Sequence, residues 1–409
     1  MKRIAYILLV FSIILPVHIM ALELPKLYSD KVLLYDFKTD EILYDKGGNI
    51  EANIASLTKI MTTITAIENI ENLDEVVTVD DGVLREIPYD ASIAGLKSGD
   101  RVSYRDLLYA SILPSGADAT TALAHNIAGS TAKFVEMMNE KAKELGLEHT
   151  HFANVTGYDI LNHHSTTREI LQILKYALEN PTFEEIYKTR SYKLSNGLNV
   201  QSTLNTYNRY MKADLSSILG SKTGYTGNAG MCMSALFKTN GREMILITLG
   251  APYSYTAPYN LQDTVKVISY LDETYDDVVL FEKGKELVRI PIEGAVQDEF
   301  VVKVSEDIVK YAEKEYDDED VRFEFEGVNN LAYKNSYGEK IGELKYYYKE
   351  ELLKSEIVYL TEELKFSLEK FVIKYRTEII ISASIVVVLF AISIIAFRKK
   401  KRKKRRMRK

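Results

Sequence analysis

The chain has 409 residues, 46% hydrophobic and 27% charged, a balance that excludes a disordered or fibrous protein and leaves room for two or three folded units. Its single cysteine, Cys232, excludes an intramolecular disulfide framework and a cysteine-based zinc site, and reads as a small apolar filler in a strand. The net charge of −6 hides a segregation: positions 398–409 hold eleven basic residues and Lys2 and Arg3 add two, so the remainder carries −19 and is ill suited to nucleic acid.

Residues 1–21 read as a secretory signal peptide: Lys2 and Arg3, an apolar run from Ile4 to Met20, then the small Ala21. Val32 to Phe37 and Glu41 to Tyr44 flank Lys38-Thr39-Asp40 and predict a hairpin. From Ile54 to Ile67 the apolar residues Ile60, Met61, Ile64 and Ile67 recur at helical spacing. Ser103 is placed to cap a helix that Pro114 ends, and Phe134, Met138, Ala142 and Leu145 form another helical stripe closed by Gly146. Met231–Phe237 and Met244–Leu249 flank Asn240-Gly241, a strong hairpin signal, and a helix from about Asp263 to Tyr275 follows. Strands at both ends with helices between predict an α+β catalytic domain, residues 24–276, whose sheet joins both ends.

Beyond Asp277 the runs Val278–Leu280, Glu286–Pro291, Glu299–Val304, Val321–Phe325, Leu344–Tyr348 and Ile357–Leu360 are short and strand-like. Gly284, Gly294, Gly338 and Gly342 punctuate them, so residues 277–360 read as a small all-β module. A charged linker over 361–378 leads to an apolar segment, 379–397, whose only polar members are Ser382, Ser384 and Ser393. At about 1.5 Å per residue it nearly spans the ~30 Å hydrocarbon core of a bilayer. The basic tail, 398–409, follows at once, and such runs stay on the cytoplasmic side. The expectation is a single-pass cell-membrane protein with its body on the extracytoplasmic face.

Three motifs carry chemistry. Ser56-Leu57-Thr58-Lys59 puts a serine and a lysine on one helix face, where the amine can reach the hydroxyl. A serine nucleophile needs a base, and a lysine serves once burial or a second cation lowers its pKa. Lys222-Thr223-Gly224 offers such a second cation on a strand, a hydroxyl for a substrate carboxylate, and a glycine that lets a substrate backbone lie against the strand. Pro114-Ser115-Gly116-Ala117-Asp118 is a loop serine between two predicted helices, able to relay a proton or simply to cap a helix. The motifs come in the order Ser-x-x-Lys, loop Ser, Lys-Thr-Gly, with 56 positions from Lys59 to Ser115 and 107 from Ser115 to Lys222.

As a set they resemble penicillin-binding proteins and serine β-lactamases, and in particular the low-molecular-mass D-alanyl-D-alanine carboxypeptidases. Ala55–Thr62, Leu107-Leu108-Tyr109 with the loop serine, Thr150-His151-Phe152 with Asn154, Gly157 and His164-Ser165-Thr166, and Gly220–Thr226 with Ala229-Gly230 are similar to that family's blocks. The resemblance implies removal of a terminal D-Ala from peptidoglycan stem pentapeptides through an acyl-enzyme, with acylation by penicillins and other β-lactam antibiotics. It implies that Ser56 attacks, Lys59 takes its proton, and Ser115 and Lys222 relay a proton to the departing D-Ala. The N–H groups of Ser56 and Tyr225 would form the oxyanion hole, Gly224 would flank the substrate, and Thr223 and Arg209 would hold its carboxylate. No cofactor or metal is implied; His149, His151, His163 and His164 match no standard ligand spacing.

One departure stands out. Ala117 occupies the place where the family commonly has Asn, so a hydrogen bond to substrate is lost, and restoring Asn is expected to raise peptide turnover by up to about tenfold. A β-lactamase is disfavoured, because no Glu-x-x-Leu-Asn segment lies between Ser115 and Lys222. A transpeptidase using the same acyl-enzyme, and a catalytically weak wall-binding homologue, stay open as alternatives.

Overall fold

A computed structural model of the chain describes residues 22–254 and 256–406. The signal-peptide expectation, residues 1–21, lies outside them, as do the last three residues of the basic tail. The chain divides after Asp276 into two units.

In the first unit, β1 (Lys31–Asp36) and β2 (Glu41–Lys46) form the predicted hairpin. A single 3-10 turn, Ala55–Leu57, runs into α1 (Thr58–Glu68). The pair β3 (Val76–Thr78) and β4 (Arg101–Ser103) brackets the short α2 (Asp81–Arg85). Ser103 then caps α3 (Tyr104–Ile112), with Asp106 completing a reciprocal capping box. The helix stops two residues before Pro114, and α4 (Ala117–Ala128) begins after the loop. Next come α5 (Thr131–Glu144), α6 (Thr167–Leu178) and α7 (Pro181–Lys188). The pair β5 (Ser191–Lys193) and β6 (Asn199–Gln201) leads to α8 (Thr203–Met211). The unit closes with β7 (Ile218–Thr226), β8 (Gly230–Thr239), β9 (Arg242–Ala251) and α9 (Tyr259–Thr274). Asn240 and Gly241 both take positive φ in the β8–β9 turn, as a two-residue hairpin of this kind requires.

The main sheet is antiparallel in the order β2-β1-β9-β8-β7, so the first strands of the unit pair with the last. Its two faces explain why Val32 to Leu34 does not alternate. Leu33, Tyr35, Cys232, Ile245 and Ile247 join the core built with α1, α3, α4 and α6. The intervening Val32, Leu34, Met233 and Leu246 are equally buried on the other face, where α9 packs against β8 and β9. Strands covered on both faces read as continuous apolar runs. Cys232 is fully buried, and desolvation pushes its thiol up to about 12, in keeping with an inert filler.

The second unit is built from β10 (Tyr275–Phe281), β11 (Glu286–Glu293), β12 (Glu299–Lys303), β13 (Ile308–Glu313), β14 (Val321–Gly327), β15 (Leu331–Ala332), β16 (Lys340–Tyr348) and β17 (Glu351–Tyr359). They pair as β10-β13, β12-β11-β15 and β14-β16-β17 around a core that includes Phe281, Ile290, Phe300, Val302, Leu344 and Tyr346. After α10 (Leu368–Lys374), one continuous helix, α11 (Arg376–Arg406), carries the whole apolar segment. It is long and apolar enough to cross a membrane. The basic run prolongs this helix as far as Arg406.

Candidate active site

The nucleophile candidate is half-buried in the 3-10 turn that feeds α1, so the predicted helix begins two residues later than Ser56 itself. Ala55, just before it, has φ of +47°, a left-handed conformation that costs an L-residue roughly 1–2 kcal/mol. The turn is fixed from several sides. Leu57 N–H donates to the Ile54 carbonyl at 3.1 Å, and Ala52 exchanges two backbone hydrogen bonds with Ser165. Gly157, in a positive-φ loop, packs so closely that a Cβ there would lie 1.9 Å from the Ala55 oxygen.

Lys59 Nζ lies 2.9 Å from Ser56 Oγ and 2.7 Å from the carbonyl of Thr156. The lysine is 2% exposed. Desolvation lowers its pKa to about 7, against the opposing field of Asp118. A substantial fraction of the amine is therefore neutral near neutral pH, with one N–H held by Thr156 and the lone pair available to the Ser56 proton.

Lys222 is in the middle of β7, on a strand as expected, and is fully buried. Its Nζ donates to the carbonyl of Thr223 at 2.7 Å. Burial first, and the charge of Lys59 second, hold it well below the usual lysine range. Burial is the first cause of the lowering at both lysines, and two buried amines that feel each other's charge disfavour being charged together.

Ser115 bridges α3 and α4 with φ of +63°; it is buried, and its Oγ has no hydrogen-bond partner among the described residues. Asp118, three residues on, accepts from the N–H groups of Ala94, Gly95 and Leu96 at 2.8–2.9 Å and so ties a surface loop to the start of α4. Ala117 is fully buried, and its N–H donates to the Ser92 carbonyl at 2.7 Å under that same loop. The position where a hydrogen bond to substrate was expected to be missing is therefore buried.

Gly224 is required for a reason other than substrate access. A Cβ at this position would lie 2.8 Å from Ser56 N and 2.9 Å from Ala55 Cβ, so β7 packs directly on the nucleophile turn. Thr223 is buried, and its hydroxyl meets that of Thr203, at the start of α8, at 2.6 Å. Tyr225 is half-exposed, its ring stacked on Tyr253 at 4.4 Å between centroids. Arg209 is exposed in the last turn of α8 and has no hydrogen bond to a motif residue among the described residues.

Sequence reasoning gave no role to Thr156, Thr203 or Asp118, because a backbone carbonyl and two ordinary polar residues carry no motif. Asn154 stood inside a recognised block. Its Oδ1 accepts from the N–H groups of Thr156, Gly157 and Tyr158, the hub that presents the Thr156 carbonyl to Lys59. Of the histidines, His149 and His164 face Glu51 at 3.2 and 3.8 Å, His151 and His164 bridge each other's backbone, and His163 is buried beside Thr58.

The family profile described as D-alanyl-D-alanine carboxypeptidase matches residues 19–253, which include all three motifs. The chain is 29% identical over 316 residues to the D-alanyl-D-alanine carboxypeptidase DacF of Bacillus subtilis, covering 76% of this chain and 79% of that one. It is 32% identical over 272 residues to DacD of Escherichia coli, covering 64% and 68%. Among solved structures, the Streptomyces K15 DD-transpeptidase matches with a TM-score of 0.54 and 28% identity, over 61% of this chain and 98% of that one. Penicillin binding protein 5 of Haemophilus influenzae shares the fold, with a TM-score of 0.57 and 23% identity over 84% of this chain and all of that one. The chain belongs to the D-alanyl-D-alanine carboxypeptidase family and is a serine hydrolase.

Proposed function

We propose that Ser56 is the nucleophile with which this carboxypeptidase removes the terminal D-Ala of peptidoglycan stem pentapeptides, and that penicillins acylate the same hydroxyl. The observation that carries the assignment is the buried Lys59 amine, 2.9 Å from Ser56 Oγ and with its pKa lowered to about 7. Neutral Lys59 takes the Ser56 proton as Oγ attacks the penultimate D-Ala carbonyl. The N–H groups of Ser56 and Tyr225 receive the developing oxyanion. Ser115, whose hydroxyl has no protein partner among the described residues, and Lys222 pass a proton to the departing D-Ala amine. Thr223 binds the terminal carboxylate, with Gly224 keeping β7 against the nucleophile, and exposed Arg209 attracts that carboxylate from the rim. Water then hydrolyses the acyl-enzyme.

In this reading α11 spans the cell membrane once, its basic end is cytoplasmic, and the catalytic unit works on the extracytoplasmic face. The likeness to a DD-transpeptidase favours a second outcome, capture of the same acyl-enzyme by an amine. The test uses the full chain in detergent with a stem pentapeptide, with and without an amine acceptor, and a labelled penicillin. Free D-Ala should accumulate and the label should map to Ser56. Label on another serine, or undiminished label in Ser56→Ala, would sink the assignment; cross-linked product at the expense of hydrolysis would make the enzyme a transpeptidase.

A further inference from the structure

His163 lies outside the three motifs, yet it is 3% exposed beside the nucleophile turn. The Ala153 N–H donates to its Nδ1 at 3.0 Å. A backbone N–H can only donate, so Nδ1 is the bare nitrogen and the ring proton sits on Nε2. Nε2 is 2.7 Å from Thr58 Oγ1 and donates to it. The Thr58 hydroxyl in turn donates to the Ala55 carbonyl at 2.8 Å. The donors therefore run one way, from Ala153 through His163 and Thr58 to Ala55.

The end point of this chain matters. The Ala55 carbonyl and the Ser56 N–H belong to one planar trans peptide and point in opposite directions, so fixing the oxygen fixes the N–H. Ala55 is held in a left-handed conformation, and Gly157 closes off the space beside the same oxygen. Burial first, then the fields of His151 and His164, push His163 down to about 4, which keeps the ring neutral and the direction of the chain constant at ordinary pH.

We propose that His163 is a positioning residue that, through the Thr58 hydroxyl, aims the Ser56 N–H at the oxyanion of the tetrahedral intermediate. The proposal rests on the assignment of Ser56 as nucleophile. Contacts to an oxyanion strengthen in the transition state, so a misaimed donor lowers kcat more than it raises KM.

The experiment uses the full chain in detergent and the variants His163→Leu, His163→Gln and Thr58→Val. It measures kcat and KM for D-Ala release, thermal melting, and inhibition by a D-Ala-like boronic acid, whose tetrahedral adduct places an oxygen in the oxyanion position. His163→Leu should lower kcat by about ten- to a hundredfold, leave KM within about twofold, and weaken the boronate in proportion. Gln keeps an N–H donor and should recover most of the loss. Thr58→Val cuts the same chain without touching the ring; it should reproduce the kcat effect and not add to that of His163→Leu. Wild-type kcat and boronate affinity in His163→Leu, a Gln variant as impaired as Leu, or lowered melting with kcat intact would each overturn the proposal. Should His163→Leu fail to fold, Thr58→Val decides alone, and an unchanged kcat there overturns it. Ser56→Ala separates the two ideas: if that variant still takes up penicillin label, the nucleophile assignment fails whatever His163 does.

Discussion

With Lys59 as the proposed base and its pKa lowered to about 7, shifting the pH from 8 to 6 should slow penicillin acylation by about tenfold. Deprotonation makes the base, so the rate rises with pH. With a pKa of about 7, roughly a tenth of Lys59 is neutral at pH 6, half at pH 7 and nine tenths at pH 8. Acylation should follow that curve and level off above pH 8. A lysine left at its ordinary value would behave differently, with a rate still climbing about tenfold per unit beyond pH 9. The distinction tests the structural cause, since burial of Nζ supplies the lowering and Asp118 opposes it. The second-order rate constant for labelled penicillin is the right quantity, because it reports groups of the free enzyme. It can be read by quenching timed mixtures between pH 5.5 and 9.5 and measuring covalent label. A log-linear rise through pH 9, or a flat profile from 5.5 to 8, would refute the reasoning.

Two substitutions probe the packing around the nucleophile. Gly224→Ala adds a methyl 2.8 Å from Ser56 N, so either β7 or the turn must move; acylation should fall at least about tenfold while the far-ultraviolet circular dichroism stays that of wild type, and unchanged acylation would show that the turn tolerates displacement. Ala117→Asn forces a larger side chain into a fully buried site under the 88–96 loop; melting should report a loss of about 1–3 kcal/mol and peptide turnover should not rise, whereas a tenfold gain at unchanged stability would mean the site opens toward substrate after all.

The features legible in the sequence were those set by local chemistry. Asn240-Gly241 demanded a tight hairpin, Ser103 marked a helix start, and the motifs named Ser56 and Lys59, which the fold brings within hydrogen-bond distance, and Gly224, which it packs against the turn that carries Ser56. In strand β7, Gly220 and Gly224 look like turn residues. Each is instead a point of close approach: a Cβ would strike Tyr187 at one and the nucleophile turn at the other. In the β module, β13 escaped notice because charged residues flank it, and β15 because it has only two residues. The buried site at Ala117, the Thr156 carbonyl on Lys59 and the His163 chain are all made by loops distant in sequence. No local pattern encodes such contacts. They follow from how the segments near residues 90, 155 and 163 fold back on α1 and α4.

The strand order has a consequence for how the molecule comes to exist. β1 is an inner strand, and its outer partner β2 is its near neighbour in sequence, but its other partner is β9, with Leu33 opposite Ile247. A chain made from its N-terminus must hold β1, with its fully buried Val32, Leu33 and Leu34, unfinished until more than two hundred further residues have arrived. Pairings of such long sequence separation close slowly, and an open apolar strand is an invitation to aggregate. A fragment ending before Arg242 would carry the complete Ser56, Ser115 and Lys222 motifs and still lack the strand that joins β1 to β8. Chemistry in this protein is thus withheld until nearly the whole unit has been delivered, and a truncated product would be a target for quality-control proteases rather than a partly active enzyme.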